Sequence, residues 1–308
     1  MTKVENSFIG FIIGDALGVP LEFEPRENLI KNPVLDMMSY GRHNVKGGTW
    51  SANTSLMLAT MESVINKKAL DYSNMMKNYV SFFKSRKYLA CERPFGLNQN
   101  VKKILREYQK NKKINDINKQ STENSSLKRC LPIAFYVYYH HYSDNDIYSC
   151  IKEFSSLTNT NEIVILGCYL YVQYLNFLFR GKNKLEAYQS LQEINLSYFK
   201  EETSMYYERI LKDNIANLAL KEISTSDYIV DTLESSLWII LNTDSFSEAL
   251  VGAINLGGDT ASIGSITGSI AGYIYASDEV PERWLDKIKH FNYLEQIIEE
   301  YEKILKTQ

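Results

Sequence analysis

Along most of this chain apolar and polar residues alternate in the three- and four-residue rhythm of amphipathic helices, and alternating strand patterns are scarce. The pattern predicts helices over residues 7–18, from 56–61 onward, and over 70–83, 127–141, 147–157 and 162–179. Further helices are predicted over 206–220, 228–241 and 245–254. Pro281 suits a first helical position and opens a terminal helix through Trp284, Ile288 and Leu294. Local chemistry marks several starts. Ser51, Asn53 or Thr54 can cap the helix at 56, and Ser143-Asp144-Asn145-Asp146 has the form of a capping box. No repeat of 20 to 50 residues appears. The expected fold class is all-α, a single domain over residues 1–308.

Two helices carry an unusual glycine register. Gly10, Gly14 and Gly18 recur every fourth residue near the start, and Gly264, Gly268 and Gly272 do the same near the end. A glycine inside a helix costs about 1 kcal/mol relative to alanine, so three on one face need a reason. Close approach of another helix backbone supplies it, and the two glycine faces are expected to meet at the centre of the fold. Asp15 and Glu22 then fall near that centre. The membrane-dimer reading of G-x-x-x-G fails here, because Asp15 interrupts the apolar run and Pro20 ends it. The second glycine helix follows the turn Asn255-Leu256-Gly257-Gly258-Asp259-Thr260-Ala261-Ser262. Paired glycines permit positive φ, and Asp259 or Thr260 can cap the helix. A turn that gathers a carboxylate, a hydroxyl and backbone N–H groups suits a metal or a phosphate.

Composition narrows the class without naming a chemistry. The chain has 308 residues, 44% hydrophobic and 23% charged, with a net charge of −3, as in ordinary soluble globular proteins. That charge gives no electrostatic case for nucleic acid or a membrane surface. Cys91, Cys130, Cys150 and Cys168 show neither C-x-x-C spacing nor a zinc pattern, and read as reduced, mostly buried thiols. The run from Phe8 to Ile13 is too short and lacks the basic flank of a signal peptide, and no segment is expected to reach the length of a membrane span. A cytoplasmic location is the expectation. His43, His140, His141 and His290 are scattered. Residues 101–126 are polar, with Lys102, Lys103, Arg106, Lys110, Lys112, Lys113 and Lys119, and are expected to form a solvated helix end and loop.

Taken in order, the motifs resemble the ADP-ribosylglycohydrolase family of the dinitrogen-reductase-activating type. Gly14-Asp15-Ala16-Leu17-Gly18 with Glu22 is similar to its G-D-A-x-G…E, and Gly48-Thr49-Trp50-Ser51-Ala52-Asn53-Thr54 to its G-x-W-T-D-D-T. Asn124-Ser125-Ser126-Leu127-Lys128-Arg129-Cys130-Leu131-Pro132 resembles N-G-x-x-M-R-x-x-P. Tyr228 to Glu234 resembles Y-V-x-D-T-L-E, and Asn255 to Ser262 resembles N-x-G-G-D-T-D-T. The resemblance implies a single all-α domain and a binuclear magnesium site built from the T-D-D and D-x-D-T groups. It also implies a nucleotide held near Asn124, Ser125, Ser126, Gly257 and Gly258.

The departures from the family pattern fall on the metal ligands. Ser51, Ala52 and Asn53 stand at T-D-D, while Asp259, Ala261 and Ser262 stand at D-x-D-T. Of four carboxylates only Asp259 remains. A T-H-P motif is replaced by Thr158-Asn159-Thr160. Ser51, Asn53, Asp259 and Ser262 are the remaining candidate metal ligands, and Mg²⁺ is expected to bind weakly or not at all. Glu22 and Asp259 are the candidate catalytic carboxylates. The expected function is an impaired pseudoenzyme of this family that binds ADP-ribose or a partner in an immunity or regulatory role. The expected ligands are ADP-ribose, an ADP-ribosylated protein, or a partner such as an ADP-ribosyltransferase toxin. An active hydrolase with an altered or single-metal site is one alternative, and a structural protein reusing the fold is another.

Overall fold

The computed structural model describes residues 1–112, 119–275 and 280–307, which include every residue singled out above except Lys113. Its α-helices run in chain order as α1 Lys3–Gly18, α2 Arg26–Lys31, α3 Ala52–Lys67, α4 Tyr72–Lys84 and α5 Gln99–Asn111. Then come α6 Leu131–Tyr139, α7 Asp144–Ser156, α8 Glu162–Phe179, α9 Lys184–Gln192, α10 Glu201–Met205 and α11 Glu208–Lys212. The series ends with α12 Ile229–Leu241, α13 Phe246–Asn255, α14 Thr260–Tyr275, α15 Glu282–Leu285 and α16 Phe291–Lys306. Extended pairing among the described residues is limited to two isolated bridges, Tyr40 with Val45 and Glu123 with Tyr228. The all-α expectation is met.

Helices α1 and α14 cross at the centre, glycine against glycine. A β-carbon added at Gly14 would sit 1.9 Å from the Gly264 carbonyl oxygen, and one at Gly10 would sit 2.1 Å from that of Gly268. The contact continues at both ends, where Gly18 meets the backbone of Thr260 and Ala261 and Gly272 meets that of Asn6. The register read from the sequence is the register of the crossing. Side chains around it form one continuous apolar core, including Phe8, Phe11, Ile263, Ile266 and Ile270. Hydroxyls near the contact bond backbone: Ser7 Oγ donates to the Ser269 carbonyl at 2.7 Å, and Thr260 Oγ1 donates to that of Gly18 at 2.8 Å.

Local capping explains many of the helix starts. Thr2 with Glu5, Ser143 with Asp146 and Asn183 with Glu186 form capping boxes at α1, α7 and α9. Ser51 is the cap of α3 among the three candidates, its Oγ accepting from the Asn53 amide at 3.1 Å. The segments Lys3–Leu21 and Glu162–Phe179 are long and apolar enough to cross a membrane, contrary to the expectation from the sequence. They are 94% and 83% buried inside the protein, so their apolarity serves the core.

Other elements depart from the sequence reading. Residues 101–126 are not merely a solvated helix end, because α5 buries Val101, Ile104, Leu105 and Tyr108 on one face. The helix expected over 206–220 is broken into α11 and a 3-10 turn at Ile215–Asn217. The intervening Asp213 is extended, and the Asn214 side chain caps the 3-10 turn. The terminal helix is likewise two helices, α15 with Pro281 as its N-cap and α16. Between them His290 adopts φ +53°, and the Lys289 amide leaves the helix to donate to the Gly48 carbonyl.

The crossing generates a direct test. Replacing Gly14 by leucine forces the two backbones apart, and is expected to destabilise the protein by roughly 1–3 kcal/mol or more. Urea denaturation measures it, and a variant as stable as the wild type would contradict the geometry.

Candidate functional site

The crossing delivers two carboxylates to one end of the helix pair. Glu22 follows α1 through the 3-10 turn Val19–Leu21, and Asp259 immediately precedes α14. The connecting segments hold each other: the Phe23 amide donates to the Gly258 carbonyl at 2.7 Å, and the Gly258 amide to that of Glu24 at 3.1 Å. Gly257 and Gly258 adopt φ of +73° and +68°, as the paired-glycine turn requires. Arg26 clamps the same turn, donating from Nε to the Leu256 carbonyl at 2.7 Å and from its terminal nitrogens to those of Leu220 and Ile223.

Asp15 lies one turn before the end of α1 and is fully buried. Its carboxylate receives the start of α3. Oδ2 accepts from the Ser51 amide at 3.0 Å, the Thr54 amide at 3.1 Å and Thr54 Oγ1 at 2.7 Å. Oδ1 accepts from Ser51 Oγ at 2.7 Å and Asn53 Nδ2 at 3.4 Å. Burial pushes the Asp15 pKa up to about 6, against the hydrogen bonds from Ser51 and Thr54 that pull it down. Ser51 and Asn53 are therefore committed as donors to Asp15.

Asp259 is tied in the same manner. Its Oδ1 accepts from Ser262 Oγ at 2.7 Å and from the Ser262 amide, which makes Asp259 a cap of α14. Its Oδ2 accepts from Asn124 Nδ2 at 2.7 Å, and Asn124 also donates to Thr232 Oγ1 at 2.7 Å. Asn124, Asp259 and Ser262 thus form one cluster, while Ser51 and Asn53 belong to that of Asp15. Glu22 belongs to neither. It pairs with His43 Nε2, and the imidazole packs 4.9 Å from the Phe95 ring, centroid to centroid.

The two positions with no side-chain oxygen have different surroundings. Ala261 is buried with Val19, Val45 and Phe95 in a small apolar cluster separate from the main core. Ala52 lines a narrow, largely apolar cleft with Asn53, Leu56, Leu97, Ser125, Lys128 and Arg129. The Arg129 guanidinium is buried between the Tyr79 and Phe154 rings, and donates to the Ser125 carbonyl at 3.0 Å and Thr158 Oγ1 at 2.6 Å. Ser125 turns its amide and hydroxyl to Glu123 Oε2. Of the groups expected to hold a nucleotide, the Ser125 and Gly258 amides are thus spent within the protein.

The resemblance implies a metal pair among these residues. Among the described residues, no group of three or more His, Cys, Asp or Glu side chains is arranged to hold a metal ion. The neutral hydroxyls and amide point their hydrogens at carboxylates, and both Asp259 oxygens already accept. Mg²⁺ favours an octahedron of oxygens with carboxylates among them. The donor set does not fit two such ions.

Comparison with known proteins decides the lineage. The family model described as ADP-ribosylglycohydrolase matches residues 1–308. The chain belongs to the ADP-ribosylglycohydrolase family. It is 28% identical over 293 residues to an ADP-ribosylarginine hydrolase Tri1 of Serratia proteamaculans (strain 568), covering 94% of this chain and 75% of that one. It is 23% identical to an ADP-ribosyl-[dinitrogen reductase] glycohydrolase of Rhodospirillum rubrum, over 92% and 89% of the two chains. A solved structure titled ADP-ribosylglycohydrolase-related protein complex superimposes with a TM-score of 0.82 at 21% identity, over 98% of both chains. That likeness establishes the shared fold.

Asp15, Arg26, His43 and Thr232 were not singled out as site residues from the sequence. The central position of Asp15 is legible in the sequence, whereas its role lies in the donors that reach it from 51–54. Removing that acceptor strands the Ser51 and Thr54 amides and hydroxyls. Asp15→Ala is therefore expected to cost about 3–5 kcal/mol of stability, as breaking a buried polar network does. A loss under about 1 kcal/mol in chemical denaturation would show that α3 does not depend on this cap.

Proposed function

We propose that this family member recognises ADP-ribose, free or attached to a protein side chain, without a magnesium pair, and serves as a binding or regulatory protein rather than an efficient hydrolase. The observation that carries the reading is the fate of the four carboxylate positions. Two hold alanine, one holds an asparagine bonded to Asp15, and the one remaining carboxylate, Asp259, accepts from Asn124 and Ser262. Glycosidic hydrolysis in such a site needs water activated and the ribose hydroxyls oriented as positive charge develops at the anomeric carbon. Neutral side chains and a doubly engaged carboxylate supply neither. The reading is supported by the motifs around Asn124 and Gly257-Gly258, which resemble those of the family. The names of the relatives favour an ADP-ribosylated protein as the macromolecular ligand, with ADP-ribosyl-arginine as the first side chain to try.

The experiment has two arms. In EDTA, millimolar ADP-ribose is expected to raise the melting temperature, since a ligand at 100 times its Kd adds about 2.7 kcal/mol to native stability. With Mg²⁺, little ADP-ribose should be released from an ADP-ribosyl-arginine peptide. Robust turnover abolished by chelator would overturn the proposal. Turnover that ignores chelator and is lost in Glu22→Gln would replace it with carboxylate chemistry centred on the Glu22–His43 pair.

A restored site gives a second test. Ala52→Asp, Asn53→Asp and Ala261→Asp together return the missing carboxylates. The aspartate at 261 enters the cluster of Val19, Val45 and Phe95, where an unpaired charge is costly. The triple variant is therefore expected to melt below the wild type in EDTA and to regain stability with Mg²⁺ or Mn²⁺. Calorimetric titration should show new metal binding. A variant indifferent to metal would mean that the lost carboxylates are not what separates this chain from a metal site.

A further inference from the structure

We infer that the open hollow between residues 44–49, the 86–93 loop and Lys289 is a docking site for an acidic stretch of polypeptide on the ADP-ribosylated partner. This deepens the proposed function by naming the surface chemistry of the partner, and rests on it for the ADP-ribosyl group. The hollow encloses about 720 Å³. Lys46, Arg86, Arg93 and Lys289 line it from three separate segments, against one carboxylate, Glu92. That is a local reversal in a chain whose net charge is −3. The ion pairs among the described residues involve none of these four cations. Like charges gathered without internal balance favour a partner that carries the opposite sign.

Position ties the hollow to the site. Val45 and Thr49 line it, and their neighbours on the same segment turn to the carboxylates: His43 pairs with Glu22, and Ser51 donates to Asp15. Arg93 joins the two regions. Its Nη2 donates to the His43 carbonyl at 2.7 Å, and its guanidinium lies over the Phe95 ring. Tyr40, bridged to Val45, and Phe23, which follows Glu22, are each 57% exposed. The Arg42 guanidinium covers the Phe23 ring at 5.4 Å. Exposed aromatic and arginine side chains beside a charged hollow are the residue types that carry protein interfaces. The chemistry favours a polypeptide over a small anion. Lys46, Arg86 and Arg93 are exposed and Lys289 is half-buried, so the charge is spread around a rim rather than converged on one point. Buried Val45 and Ala90 and half-buried Cys91 give the floor an apolar share. A row of glutamates answers both features, with carboxylates at the rim and methylene stems over the floor.

The test uses hexaglutamate, hexaserine and inorganic phosphate as probes, in EDTA at low salt. Calorimetry reads binding, and the rate of Cys91 alkylation by iodoacetamide reads occupancy of the hollow, since Cys130, Cys150 and Cys168 are buried. Wild type is expected to bind hexaglutamate alone, with Cys91 protected and with affinity that falls as salt rises. Lys46→Glu with Arg86→Glu should weaken it about tenfold, since each exposed charge contributes modestly. Lys46→Arg with Arg86→Lys should retain it. Both side chains are exposed, so the variants should melt close to the wild type. An ADP-ribosyl-arginine peptide flanked by glutamates should bind wild type more tightly than one flanked by serines, and the charge-reversed protein should lose that preference. Hexaglutamate bound equally by wild type and the reversed protein, or Cys91 protected as strongly by phosphate as by the peptide, would overturn the docking site. The proposed function would still stand if both proteins bound the ADP-ribosyl-arginine peptides. Hexaglutamate bound through Lys46 and Arg86, with no gain from an ADP-ribosyl group on either peptide, would keep the hollow as an acidic-peptide site and overturn the function.

Discussion

Everything at the site depends on how closely α1 and α14 approach. Two helix backbones meet where the carbonyl oxygens of Gly264 and Gly268 face the α-carbons of Gly14 and Gly10. Such contact leaves no room for a β-carbon, so the cost of helical glycine is offset by backbone packing and by burial of the flanking Phe and Ile side chains. The consequence is positional. The residue that ends α1 lies against the residues that begin α14, Gly18 against Thr260 and Ala261. Helices joined only by long side chains would hold Glu22 and Asp259 through flexible intermediates. Here the spacing is set by main chain, and loops from three distant parts of the sequence are then fastened to it.

The fastening uses the very residues that a metal site would use. Asp15 gathers Ser51, Asn53 and Thr54, and Asp259 gathers Asn124 and Ser262. Each carboxylate is buried, and each is satisfied by side-chain and backbone donors, which is the condition under which a buried charge is tolerated. The architecture therefore closes without a dication to balance its acids. With Ala52 and Ala261 in place, two charges that would repel Asp15 and Asp259 are absent, and serine, threonine and asparagine donors do the neutralising. The same hydrogen bonds that satisfy these acids also fasten the loops to the helix pair.

How much of this was legible in the sequence varied with the range of the interaction. The glycine faces were readable because a four-residue repeat is a local pattern, and its only economical explanation is a close partner. The capping box at Ser143 and the long helix Glu162–Phe179 were readable for the same reason. The break in 206–220 was missed because its apolar spacing continues through Asp213 and Asn214, where the chain leaves the helix. The turn at His290 was missed because its cause is the Gly48 loop, more than 200 residues away. Within the site, Glu22, Asn124 and Asp259 were found through motif resemblance. His43 carried no local signal, being a lone histidine whose partner lies in another loop. Asp15 had no visible role until the donors from 51–54 were seen to converge on it.

Ala261 shows why the present state of the site is more than a set of missing groups. Its methyl belongs to a closed cluster with Val19, Val45 and Phe95, and Phe95 in turn packs on the imidazole that holds Glu22. An acid introduced there alone would meet these apolar side chains, at a cost of several kcal/mol or a pKa displaced far upward. A carboxylate at 261 therefore asks the apolar cluster to change as well as the charge.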